Sequence, residues 1–159
     1  MTAGSSAIGV HIAGPVARLA VVDGDGTLMD DRADRLELEA AELLQPRSIS
    51  EFEETVEHLL GRLVLGRLIL LSAGTSRLVT PSDSRRRGWI EAALMMATQR
   101  AGVAFSGVTH EKIEKEFGAR PTDSTFGRIM ATHLAKDPPP RWKERAPAFA
   151  AALLAQGDG

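Results

Sequence analysis

Apolar positions along the chain alternate between short compact runs and longer stretches at helical spacing. Residues 8–13 (IGVHIA) and 18–22 (RLAVV) read as two strands separated by Gly14-Pro15. Asp23-Gly24-Asp25-Gly26 is a turn signal, and residues 27–29 with 35–38 return toward a third strand. Three strands joined in this way form an antiparallel meander. Phe52, Val56, Leu59, Leu60 and Leu63 then recur at helical spacing, with Ser48 or Ser50 as cap and Gly66 as the stop. Residues 67–71 make a compact apolar strand. Residues 75–84, polar and broken by Pro81, read as a loop.

A second helix is predicted over residues 85–100, with Trp89, Ile90, Ala93, Leu94 and Ala97 on its apolar side. A strand follows over 103–106. Thr109 caps a short helix that ends at Phe117-Gly118. Asp123 can cap another, with Phe126, Ile129, Met130 and Leu134 facing inward. Beyond Pro138-Pro139-Pro140, a last helix covers 145–155, with Pro147 in its first turn. The order β-β-β-α-β-α-β-α-α-α predicts one α/β domain over residues 1–159. Its sheet is mixed, a three-strand antiparallel meander plus parallel βα crossovers, with helices on both faces. Residues 1–6 and 156–159 are expected to be disordered tails.

Composition narrows the function. The net charge of −2 means that a nucleic-acid binder of this sequence needs a local basic patch. Arg77, Arg85, Arg86 and Arg87 are the densest such cluster, and they are expected to precede a helix whose amide end would reinforce an anion site. Their alternative is a solvated, salt-bridging loop. Two tryptophans, five phenylalanines and no tyrosine leave little for base stacking. The lack of cysteine excludes disulfides, thiolate zinc sites and a cysteine nucleophile. No apolar run approaches the roughly 18 residues of a spanning helix, and no basic-then-apolar leader opens the chain, so a cytoplasmic protein without membrane partners is expected.

Arg86-Arg87-Gly88-Trp89-Ile90-Glu91-Ala92-Ala93 and then Ala101-Gly102-Val103-Ala104-Phe105 resemble the Arg-Gly helix opening and the helix-to-strand step of the RuvC-like branch of the RNase H-like superfamily, the Holliday-junction resolvase family. Residues 108–115 are similar to its strand end and following helix. Gly118-Ala119-Arg120-Pro121-Thr122-Asp123 with Arg128-Ile129-Met130, and the alanine-rich stretch 148–155, resemble its closing segments. The resemblance spans nearly the whole chain and implies an RNase H-like fold, with a homodimer and nucleic acid as partners.

Nucleases of this family are expected to hold two hard divalent cations among converging carboxylates. Position by position, the resemblance puts His11 at the first-strand aspartate and Ser72 at the fourth-strand glutamate. The pair at the last helix falls on Glu144 and Pro147. One carboxylate cannot hold two such ions, so the resemblance implies a degenerate member: no resident cofactor, no metal site, and binding to nucleic acid or protein without catalysis. Mg²⁺ enters only if displaced acids restore an active endonuclease. His11 also reads as an ordinary core histidine, and Glu144 as a solvated ion-pair former.

One further segment carries a rival resemblance. Ala20-Val21-Val22-Asp23-Gly24-Asp25-Gly26-Thr27-Leu28 resembles the opening motif of haloacid-dehalogenase-like phosphatases. That likeness makes Asp23 a nucleophile, Asp25 a general acid and Ser72 a phosphate ligand. The plain reading of Asp23 and Asp25 is turn chemistry.

Overall fold

The structure, a computed structural model, describes residues 6–13, 16–29, 35–37, 46–61, 65–72 and 81–157. Strands β1 (Ser6–Ala13), β2 (Val16–Val22) and β3 (Arg35–Glu37) precede helix α1 (Pro46–Gly61), strand β4 (Leu65–Leu71), helix α2 (Pro81–Ala101) and strand β5 (Ala104–Val108). Helices α3 (His110–Phe117), α4 (Phe126–Ala131) and α5 (Trp142–Gly157) complete the order, which is the predicted one. The sheet runs β3-β2-β1-β4-β5. β1 pairs antiparallel with β2 and parallel with β4; β2–β3 is antiparallel and β4–β5 parallel.

Both sheet faces are covered, which the alternation along β1 requires. Ile8, Val10 and Ile12 point to one face and meet Phe52, Val56 and Leu60 of α1 with Ile90, Leu94 and Ala97 of α2. Ala7 belongs to the opposite face, where Ala20, Val22, Ile69 and Leu71 pack under α5, Phe126, Met130 and Ile113. The alanines of α5 have a geometric role. Small side chains let α5 press against β1 at Gly9, where an added Cβ would fall 1.8 Å from the Ala148 carbonyl oxygen.

Several expected boundaries are corrected. α1 begins at Pro46, so Ser48 and Ser50 are internal, and it ends at Gly61, leaving Gly66 inside β4. Pro81 opens α2, because a proline at the first helical position gives up only an N–H that has no helical partner. Arg85, Arg86 and Arg87 therefore lie within α2 and do not precede it; Arg77 lies outside the described residues. Asp123 does not cap α4: its carboxylate accepts from the Arg120 N–H in a turn, and Thr125 holds the cap position. α5 starts at Trp142, which places Pro147 beyond the first turn. Of the expected tails, Ser6 belongs to β1 and Gln156 and Gly157 to α5; residues 1–5 and 158–159 lie outside the described residues. Thr109 does cap α3, accepting from the Lys112 N–H, and Gly118 closes it with φ of 82°.

Candidate functional site

The C-terminal ends of parallel strands β1, β4 and β5 meet the start of β2 and the first turn of α5. In open α/β sheets this end is where ligands settle. Residues 14 and 15 separate β1 from β2, and the pairing Ala13↔Val16 puts His11 opposite Arg18. Both lie on the face covered by α5. Arg18 then binds Glu144 of α5, Nη2 to Oε2 at 3.0 Å. One residue on, Arg145 is 4% exposed and donates from Nε to the Leu19 carbonyl at 2.9 Å.

From the other face, Arg87 of α2 reaches over the strand ends. Its Nη2 donates to the Leu71 carbonyl at 2.8 Å and its Nη1 to that of Ile12 at 3.3 Å, while Nε pairs with Glu91 at 2.7 Å. Ser72 follows Leu71 directly, its N–H donating to the Val108 carbonyl at 2.8 Å. His11, Ser72 and Glu144 thus lie toward one end of the sheet, where Arg18 binds Glu144 and Arg87 bonds the carbonyls of Ile12 and Leu71, the neighbours of His11 and Ser72. Pro147 is buried on α5 one turn beyond Glu144.

Arg18 stands opposite His11 across the hairpin, and Arg87 bonds the carbonyl of its neighbour Ile12. Burial pushes the His11 imidazole down from the ordinary value of 6.5 to about 4, and Arg87, His110 and Arg18 push in the same direction. Its Nδ1 is buried with no hydrogen-bond partner in the protein. Between pH 6.5 and about 4 the unfolded chain therefore binds the His11 proton and the folded chain does not. Stability from this group is complete above 6.5 and falls as pH drops through that window. Replacing His11 by glutamine should remove about 2–3 kcal/mol of the wild-type loss between about pH 7 and 4.5, as read by urea unfolding at each pH. Parallel losses in the two proteins would contradict the buried, neutral imidazole.

Asp23 and Asp25 do not join this end. Asp23 follows Val22, which pairs with Ala7, four residues from His11 and so roughly 13 Å away along the strand. The Asp23 Oδ1 accepts from the N–H groups of Asp25, at 2.9 Å, and Thr27, at 3.0 Å, and Gly26 turns with φ of 84°. That is the turn arrangement read from the sequence. Arg85 is exposed and Arg86 half-buried on α2.

Sequence reasoning passed over Arg18, His110 and Arg145. Arg18 was within reach: a two-residue connection at Gly14-Pro15 fixes the register, and counting back from it sets Arg18 against His11. His110 carried no signal beyond following the Thr109 cap. Among the described residues, no group of three or more histidine, cysteine, aspartate and glutamate side chains is placed to share a metal ion.

No protein-family model and no curated protein matches the sequence. Solved structures do match. One, described as Thermus thermophilus RuvC in complex with Holliday junction substrate, superposes with a TM-score of 0.71 at 15% identity, over 94% of this chain and 90% of that one. Another, a Thermus thermophilus RuvC structure, gives 0.69 at 14%, over 93% and 91%. At such identities the likeness speaks for architecture. The chain has a RuvC-like RNase H fold.

Proposed function

We propose that this chain is a cytoplasmic nucleic-acid-binding pseudonuclease: a RuvC-like fold that engages nucleic acid without the metal-dependent cutting its fold supports elsewhere. One observation carries the reading. At the strand ends, the positions matched to metal ligands offer an imidazole among cations, a serine, and one carboxylate already bonded to Arg18. Hard divalent ions need several oxygen ligands of negative charge, and this donor set does not fit them. The solved relative bound to a Holliday junction supports nucleic acid as the partner class. Exposed Arg85 and half-buried Arg86 on α2, beside Arg87, supply a local basic face on a chain of net charge −2.

The active-endonuclease alternative requires displaced acids at this end. Glu91 of α2 is held by Arg87. The phosphatase alternative requires a free Asp23, whose Oδ1 is taken up by its own turn. A homodimer remains part of the proposal. Its support in this chain is the outer face of α2, where Met95 and Met96 are 53% and 42% exposed. Among the described residues, no helix is long and apolar enough to cross a membrane.

The reading is tested by titrating duplex and branched DNA at several salt concentrations with wild type and an Arg85→Ala, Arg86→Ala variant. Every phosphate that the variant no longer neutralises should flatten the plot of log affinity against log salt by about 0.9. Identical slopes would clear α2 of the role, and no binding by wild type at low salt would sink the nucleic-acid reading.

A further inference from the structure

We propose that the site between His11, Arg18, Arg87 and His110 holds a phosphate group directly, in place of the metal ions that carboxylates would bind there. The inference rests on the nucleic-acid reading above and names what occupies that same site. Four groups from four elements, β1, β2, α2 and α3, bring two permanent cations and two imidazoles to one end of the sheet. Each guanidinium has one carboxylate partner, Glu144 for Arg18 and Glu91 for Arg87, and in both pairs the carboxylate is the more exposed member. The buried His11 Nδ1 has no acceptor or donor from the protein.

A half-buried position that presents two guanidinium groups and an unpaired polar atom suits an anion better than a cation. Phosphate suits it because its charge is spread over several oxygens, which guanidinium and imidazole N–H groups can share. Glu144 then has the reverse of its expected role. In a metal site it would be a ligand; here it competes with phosphate for Arg18.

The sign of the Glu144→Gln effect is therefore diagnostic. Inorganic phosphate is titrated into isotopically labelled protein while the ring resonances of all four histidines are followed by NMR. The resonances of His11 and His110 should shift saturably; those of His58 and His133 should not. Arg18→Gln should weaken binding about tenfold, the loss of one charge-assisted hydrogen bond. Glu144→Gln, a change at an exposed side chain that leaves the core intact, should tighten it by a few-fold. Phosphate that moves no histidine, or binding that Glu144→Gln abolishes, would overturn the proposal.

A second arm adds duplex DNA in the presence of EDTA. DNA that moves the His11 resonances and is competed by phosphate identifies the backbone as the source of the group. DNA binding that leaves His11 untouched would overturn the phosphate site and leave the nucleic-acid reading standing. Phosphate binding without DNA binding would uphold the site and remove that reading.

Discussion

Replacing Gly9 by alanine is expected to cost at least about 3 kcal/mol of stability, a larger effect than most single substitutions produce. The methyl group would fall 1.8 Å from the Ala148 carbonyl oxygen and 2.7 Å from the Ala152 nitrogen. Both are backbone atoms of α5, so no side-chain rotation relieves the clash. The helix must lift from β1 and loosen the layer that includes Phe149, Ala151 and Ala152, all fully buried. Denaturant unfolding measures the loss. A variant within about 1 kcal/mol of wild type would mean that α5 does not lie so close. The same displacement should part Glu144 from Arg18, so this glycine links packing to the geometry of the site.

The second large effect is expected at Arg87. Its alanine variant leaves the carbonyls of Ile12 and Leu71 without their charged donor, at a cost of about 3 kcal/mol for the two bonds together. Arg85→Ala, on an exposed position of the same helix, should change stability by no more than about 0.5 kcal/mol. Arg87→Lys keeps the charge but cannot span both carbonyls and Glu91, and should fall between the two. Equal stability of the Arg85 and Arg87 variants would show that the clamp carries no weight. The contrast also separates the arginines by task. Arg87 holds the ends of β1 and β4 together, so a DNA-binding defect in an Arg87 variant is read alongside its stability.

The order of elements is legible in the sequence because strand and helix periods alternate clearly from Ile8 onward. One misplaced boundary falls at Pro81, which reads as a break, yet a proline is well placed in a first helical turn and Pro81 opens α2. Asp123 looks like a cap, but the Arg120 N–H is the donor it meets. For the site, the matched positions His11, Ser72 and Glu144 can be numbered from the resemblance alone. Of what surrounds them, Arg18 follows from the hairpin register, whereas Arg87 and His110 arrive through the reach of α2 over the strand ends and the β5–α3 connection, which the sequence does not show. With Glu91 and Glu144 these three set the charge of the site, and no single linear motif brings them together.

The most direct test of the central claim is an incubation of the purified protein with branched and duplex DNA in Mg²⁺, in Mn²⁺ and in EDTA, with binding and strand cleavage followed in the same samples. The account predicts binding that needs no divalent metal, undiminished in EDTA and weakened in Mg²⁺ or Mn²⁺ only as far as these ions screen the phosphates, with intact DNA throughout. Metal-dependent cleavage that disappears in a Glu144→Gln variant would contradict it, because the carboxylate now paired with Arg18 would then be serving a working metal site.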